Sequence, residues 1–395
     1  MLPVQEAEQM PYSRHKHLTS LHITFIESMK ENRKIRVGIT HGDLNGIGYE
    51  VILKTLEDER MLELCTPIVY GSAKIAAYYK KASNLQSVAF NQIAVAVDAK
   101  EDEYNIINIV PEDTKIEPGQ STRIAGEAAF AALEKAVADL RNGDIDVLVT
   151  APINKHNIQS ETFCFPGHTE YLEASLGDGN KSLMILCDET VRVALVTTHL
   201  PIANVPSAIT KENIIEKLEI FNRSLKQDFG IVKPRIAVLS LNPHSGENGL
   251  LGKEEQEIII PAIEEAQGKK ILCFGTYAAD GFFGSGQHEK FDGILAMYHD
   301  QGLAPFKTIA MERGINFTAG LPYVRTSPDH GTGYDIAGKG EASEVSFREA
   351  IYHAIDIYRN RRNYHYIKRN PLRRQYFDKS GDNVVLDLTK EDSAD

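Results

Sequence analysis

The sequence predicts an α/β protein built on a largely parallel sheet. Short apolar runs, rich in β-branched residues and free of polar alternation, recur along the chain, which is the pattern of strands covered on both faces. Stretches of helical period separate them, and sustained strand–helix alternation gives parallel order. Polar segments follow several of the runs directly, at the edge where open α/β sheets bind ligands.

Residues 35–39 form the first strand. The turn Gly42-Asp-Leu-Asn-Gly-Ile-Gly48 follows and opens a helix over about 49–56. It lacks the full G-x-G-x-x-G spacing of a dinucleotide fingerprint, so no pyrophosphate is assigned to it. Pro67-Ile-Val-Tyr-Gly71 is a second strand followed by helix. Over 125–140, Phe130, Leu133, Val137 and Leu140 share one helical face, and Gly143 stops the helix. Residues 145–149 return as a strand and run into Thr150-Ala-Pro-Ile-Asn-Lys155, where Lys155 reads as a surface lysine. Strands are expected near 193, 236, 271 and 293, with a helix over 254–267 carrying Ile258, Ile259, Ala262 and Ile263. The glycine-rich stretch 320–340 reads as a loop, and the basic run after Tyr358 as a solvated helix face or tail.

With 395 residues, 42% of them hydrophobic, the chain is long enough for two domains or one large α/β unit. A net charge of -12 argues against nucleic-acid and anionic-membrane partners, and no apolar stretch reaches the length of a membrane span. Cys65, Cys164, Cys187 and Cys273 are far apart and read as buried thiols of a reducing, cytoplasmic protein.

Three of the apolar runs end in histidine: Val193-Ala-Leu-Val-Thr-Thr-His199, Ile236-Ala-Val-Leu-Ser-Leu-Asn-Pro-His244 and Gly293-Ile-Leu-Ala-Met-Tyr-His299. One such histidine is accounted for by a strand cap or a loop contact. Three in the same slot point to a shared site, and neutral imidazole is the commonest ligand of catalytic transition metals. Asp300 adjoins His299 and is able to orient it, bind the ion or act as a base. Lys307 and Arg325 supply fixed positive charge for a phosphate or carboxylate.

The segment Ser327-Pro-Asp-His-Gly-Thr-Gly-Tyr-Asp-Ile-Ala-Gly-Lys-Gly340 resembles the adenosine-binding loop of the isocitrate and isopropylmalate dehydrogenase superfamily. A wider set resembles one branch of it, the 4-hydroxythreonine-4-phosphate dehydrogenase family of vitamin B6 biosynthesis. That set is Gly46-Ile-Gly48, Thr150-Ala-Pro-Ile-Asn-Lys155, Gly167-His168-Thr169-Glu170, Thr197-Thr-His199-Leu-Pro201, Asn242-Pro-His244, Tyr298-His-Asp-Gln-Gly302 and Arg325-Thr-Ser-Pro-Asp-His-Gly331. It spans roughly residues 35–360 in order. The first turn departs from the family, with Asp43 and Leu44 where Glu and Pro are usual and Tyr49 where Pro is usual.

The resemblance implies a two-domain isocitrate/isopropylmalate dehydrogenase-like fold with a cleft: 35–150 plus 308–362 as the nucleotide-side domain, 151–307 as the metal and dimer side, and 1–34 and 363–395 as extensions. It implies His199, His244 and His299 as ligands of a divalent metal, zinc, cobalt or magnesium, with one ligand coming from the partner subunit of an obligate homodimer. His168, Thr169, Lys307, Asn316 and Arg325 would contact a phosphorylated substrate; His168, after Pro166-Gly167, also reads as a plain turn residue. Asp329, His330, Gly331, Asp335, Gly338 and Lys339 would contact NAD or NADP. Asp280 and Asp300 match acidic positions near the metal, and with Lys307 they are the catalytic candidates.

The implied reaction is NAD-dependent oxidation of 4-phosphohydroxy-L-threonine followed by decarboxylation to 3-amino-2-oxopropyl phosphate. The nearest competing expectation is the same chemistry on threonate or erythronate 4-phosphate, whose enzymes share these motifs. A metal-dependent hydrolase would suit three histidines but leaves the Asp335-Ile-Ala-Gly-Lys339 loop unexplained, and a non-catalytic phosphate-binding protein leaves the histidines unexplained.

Overall fold

The computed structural model describes residues 33–85 and 87–369. The expected N-terminal extension and most of the C-terminal tail lie outside them. Twelve strands among the described residues form one mixed sheet: β1 (Ile35–Thr40), β2 (Cys65–Gly71), β3 (Phe90–Ile93), β4 (Tyr104–Asn108), β5 (Val147–Thr150), β6 (Leu183–Cys187), β7 (Arg192–Leu195), β8 (Arg235–Leu239), β9 (Leu272–Tyr277), β10 (Gly293–Ala296), β11 (Ile315–Ala319) and β12 (Val324–Pro328). Their order across the sheet is β3-β4-β2-β1-β5-β12-β11-β6-β7-β10-β8-β9.

From β3 to β12 every pairing is parallel, and so is every pairing from β7 to β9. Between these blocks β12–β11, β11–β6 and β6–β7 are antiparallel. Three reversals leave the two parallel blocks running in opposite senses. The strands carrying the three histidine motifs, β7, β10 and β8, are neighbours within one block. The residues of 35–150 plus 308–362 supply β1–β5, β11 and β12, those of 151–307 supply β6–β10, and the two sets meet at the β11–β6 pairing.

Local sequence explains the main elements. Thr122 caps the helix Arg123–Asn142 through its hydroxyl, which accepts from the Ala125 amide at 3.3 Å. Gly143 ends that helix at φ 78°, a left-handed conformation that favours glycine. The residues of the Gly42–Gly48 turn are all buried. Its Ile47 amide donates to the Thr332 carbonyl at 2.9 Å. A Cβ on Gly46 would come within 2.7 Å of that same carbonyl oxygen, so the close approach requires glycine. Tyr49 stacks between His41 and Tyr79, and its hydroxyl accepts from the Ser72 amide at 2.8 Å.

Three expectations are corrected. Stretch 320–340 is not loop throughout: residues 324–328 form β12, a buried strand at the centre of the sheet, because its polar side chains are satisfied internally. The chain after Tyr358 continues the helix Val345–Arg369, and Arg361 is buried rather than solvated. Its guanidinium donates to the Asp228 carboxylate and to the Leu321 carbonyl at 3.1 Å. Of the four free cysteines three are buried, but Cys164 is exposed.

Candidate active site: a buried arginine beside two histidines

The middle of the sheet carries a cavity of about 330 Å³. Met184 and Leu186 from β6, Asn316 from β11 and Arg325 and Ser327 from β12 line it, together with Thr150 at the end of β5. Successive strand residues face opposite sides, so 184 and 186, like 325 and 327, share a face. The cavity therefore sits on one face of the antiparallel strands that join the two blocks.

Arg325 is its floor. The side chain is 4% exposed, and its guanidinium donates to the Thr150 hydroxyl, at 3.0 Å from Nε, and to the Thr318 hydroxyl at 3.2 Å. No carboxylate pairs with it among the described residues, and burial pulls its pKa down to about 9 while the Glu170 charge partly opposes this. A buried cation held only by neutral hydroxyls calls for an external anion. Around it stand polar atoms shielded from solvent that find no hydrogen-bond partner among the described residues: His168 Nε2, Asn316 Oδ1 and His330 Nε2. Burial, with help from the Arg325 and Lys155 charges, keeps His168 neutral by lowering its pKa well below the ordinary value. Lys307 Nζ donates to the Asp329 carbonyl at 3.1 Å and lies 3.5 Å from its carboxylate, whose pKa burial pushes up.

Two of the three histidines reach this cavity. His199 follows β7, His299 opens the helix His299–Ala310 after β10, and their ring centroids are 5.8 Å apart. The Nδ1 of His299 lies 2.7 Å from the Asp300 carboxylate, which fixes the ring and leaves Nε2 available to a ligand. Lys155 Nζ stands 3.4 Å from His199 Nε2. Burial lowers the His199 pKa, and the neighbouring Lys155 charge adds to this.

His244 does not join them within one chain. It begins a run of left-handed residues in the turn Pro243–Gly249, with φ 52°, and is exposed. Ser245 ties that turn to Thr276 at the end of β9. Asp280 lies exposed in the short helix Ala279–Gly284 that follows β9, also outside the cavity. Among the described residues no group of three or more histidine, cysteine, aspartate or glutamate side chains is placed to hold a metal. Of the residues expected at the nucleotide, Asp329, His330 and Gly331 line the cavity, whereas Asp335 and Lys339 are exposed beyond it and Gly338 packs beside Pro118.

The family model for the pyridoxal phosphate biosynthetic protein PdxA matches residues 63–354. The chain belongs to the PdxA family. It is 62% identical over 366 residues, 92% of its length and 100% of the relative's, to a 4-hydroxythreonine-4-phosphate dehydrogenase of Bacteroides thetaiotaomicron. Over 332 residues, 82% of its length and 98% of the relative's, it is 38% identical to a putative D-threonate 4-phosphate dehydrogenase of Oceanobacillus iheyensis. Among solved structures it is similar to the 4-hydroxythreonine-4-phosphate dehydrogenase of Klebsiella pneumoniae, with a TM-score of 0.71 at 32% identity, covering 82% of this chain and 99% of that one.

In this PdxA-family chain the sequence reading passed over several residues of the cavity. Lys155 is exposed, as a surface lysine is expected to be, but it also lines the cavity, and Glu170 and Thr150 carry a sequence signal only within their motifs. Asp43 accepts from Tyr334 Oη at 2.8 Å and from Asn157 Nδ2 at 2.7 Å, which binds the first turn to the segment after β12. A pairing across 291 residues has no local signature in the sequence.

Proposed function

We propose that the protein oxidises 4-phosphohydroxy-L-threonine with NAD or NADP and decarboxylates the product to 3-amino-2-oxopropyl phosphate, within vitamin B6 biosynthesis. The observation that carries this is the buried Arg325 guanidinium, which among the described residues has no carboxylate partner, next to His168 Nε2 and Asn316 Oδ1, likewise unpartnered there, and within the same cavity as two imidazoles. A phosphate fits that seat: it accepts from a guanidinium fork, an ammonium and an amide at once. The phosphorylated substrate named for the relatives supports the same assignment.

His199 and His299 suit a divalent ion as imidazole nitrogen donors, and Asp300 supports His299 in the way carboxylates support metal-bound imidazoles. Two nitrogen donors from one chain leave that ion short of a third, so we assign His244 of a second copy to complete the set, in a homodimer with shared sites. When bound, the ion supplies Lewis acidity to the substrate hydroxyl and the nicotinamide accepts hydride. The chain itself anchors the substrate. Arg325 and Lys307 hold the phosphate end, so its binding energy orients the reacting carbon. Neutral His168 and Thr169 complete the phosphate contacts, and Met184, Leu186 and Leu303 limit water on the apolar wall. Asp300 stands where it is able to accept a proton beside His299. The nucleotide is assigned to the segment 329–339, and the two strand blocks to separate domains flanking the cleft. We place the enzyme in the cytoplasm.

A second substrate reading, D-threonate 4-phosphate, rests on the similarity to the Oceanobacillus protein. NAD reduction followed at 340 nm with metal-stripped protein, with and without added zinc, cobalt or magnesium, tests both. Metal-dependent turnover of 4-phosphohydroxythreonine supports the proposal. Turnover of the sugar acid alone moves the substrate but keeps the site, and inactivity on both refutes the dehydrogenase.

A further inference from the structure

We propose that Tyr334 is a positioning residue for the nucleotide: its hydroxyl, held between Asp43 and Asn154, fixes the segment 329–339 in the shape that NAD or NADP binds. This rests on the assignment of the nucleotide to that segment and goes one step further, to the side chain that sets the segment's shape.

The segment has little stiffness of its own. Gly331, Gly333, Gly338 and Gly340 punctuate it, and the last three hold positive φ of 54°, 76° and 73°. A stretch so rich in glycine loses much conformational entropy on ordering, and that loss weakens nucleotide binding unless the protein orders the stretch beforehand. Each end is tied to the first turn or to the helix Gly48–Leu56 behind it. Near the start the Ile47 amide donates to the Thr332 carbonyl. Past the far end the Glu50 carboxylate accepts from the Ala342 amide at 2.7 Å, and Lys54 Nζ donates to the Gly340 carbonyl at 2.9 Å. Between these ties stands Tyr334. From 332 to 339 it is the one side chain with a hydrogen bond among the described residues.

The Tyr334 hydroxyl donates to Asp43 Oδ2 at 2.8 Å and accepts from Asn154 Nδ2 at 3.0 Å. Burial pushes the phenol up to about 12, so it stays a donor at neutral pH. Both partners are themselves fixed. Asp43 is 1% exposed, and its carboxylate also accepts from the Asn45 amide at 2.9 Å and from Asn157 Nδ2 at 2.7 Å. No cation pairs with it among the described residues, so each of these neutral donors matters to it. Asn154 Oδ1 accepts from the His156 amide at 2.8 Å. Its neighbours Thr150–Ile153 and Lys155 line the cavity, and Lys155 stands beside His199. One hydroxyl thus joins three stretches distant in sequence: the buried first turn, the wall of the substrate cavity and the nucleotide segment. Tyr334 does not itself line the cavity, so it acts through the segment it holds.

The test is Tyr334→Phe, which removes the hydroxyl and keeps the ring, with Asp43→Asn, which keeps an acceptor, as the conservative variant. Dissociation constants for NAD and NADP are measured calorimetrically without substrate, and for 4-phosphohydroxythreonine without nucleotide. Steady-state kinetics and thermal melting accompany them. Tyr334→Phe should weaken the preferred nucleotide about 10-fold and raise its KM to match, with kcat and substrate binding altered less than about 2-fold and Asp43→Asn falling between it and the parent. Hydrogen exchange over 329–339 should quicken in Tyr334→Phe and return to the parent's level with saturating nucleotide. Unchanged nucleotide affinity, or equal losses for nucleotide and substrate, would overturn the proposal and leave Tyr334 a structural residue. The parent reports separately on the segment: if bound nucleotide leaves its exchange unaltered, the nucleotide assignment fails, and the role of Tyr334 with it. Protection of the segment in the parent, with undiminished affinity in Tyr334→Phe, keeps the assignment and removes the positioning role alone.

Discussion

Arg325 concentrates the chemistry of the site in one side chain. Its guanidinium is buried on a central strand and fixed by Thr150 and Thr318, so its position is set before any ligand arrives. Arg325→Lys keeps the charge but loses the planar fork and the donors to both threonines. We expect about a 100-fold fall in kcat/KM on the phosphorylated substrate, corresponding to about 3 kcal/mol, with steady-state kinetics as the check. His41 makes a different prediction. It is fully buried against Tyr49, and burial lowers its pKa to about 4, with backbone groups of Gly42 and Ala128 partly opposing. In the unfolded chain the ring titrates near the ordinary 6.5. Above that value both states are neutral. As pH falls from 6.5 towards 4 only the unfolded chain takes up the proton, so stability is lost across that window, by at most about 3 kcal/mol. Denaturant melts at pH 7 and pH 4.5 measure it, and His41→Gln should flatten part of the difference.

At the scale of elements, the helix Val345–Arg369 covers the centre of the sheet. Phe347, Ala350, Ile351, Ala354 and Ile355 are buried, and Thr326 of β12 donates to the Ala350 carbonyl at 2.7 Å. Arg361 locks the far end to Asp228, at the C-terminus of the helix Lys211–Gln227. Asp228 is fully buried, so Arg361→Ala leaves an uncompensated charge inside the protein. The expected cost is about 3–5 kcal/mol, read as a lower denaturation midpoint, while a surface change such as Arg359→Ala should stay within about 0.5 kcal/mol. Apolar strand patterns were legible along the chain: β1, β2, β5, β7, β8, β9 and β10 all fall where the runs indicated. β3, β4, β6, β11 and β12 were not, and for β12 the reason is that Val324–Pro328 carries arginine, threonine and serine on a buried strand. Its polar groups are satisfied by partners distant in sequence, and periodicity holds no record of such partners.

For the molecule as a whole, the proposed sharing of histidines between two copies is open to a direct test. His199 and His299 share one cavity while His244 is carried outward on a turn anchored to β9. If each site draws His244 from the second copy, His199→Ala and His244→Ala are each inactive, yet mixing them under conditions of subunit exchange restores one intact site in each heterodimer. About a quarter of the parent activity per site is expected from equal amounts. No recovery, with exchange verified by mass, argues that all three ligands come from one chain or that His244 is not a ligand.

The amino-acid sequence alone determined that this is an α/β protein of the PdxA family and that a histidine follows each of three strands, and its motifs implied that Lys307, Asn316 and Arg325 would contact a phosphorylated substrate. These are statements about local pattern and motif order, and both are written in neighbouring residues. Only the tertiary structure decided which groups meet: Lys155 beside His199, Arg325 on Thr150 and Thr318, His244 apart from the other two histidines. Those juxtapositions depend on strand order and on three reversals of direction at the centre of the sheet. They are long-range packing outcomes, fixed by which buried faces and polar groups satisfy one another, and short-range periodicity is blind to them.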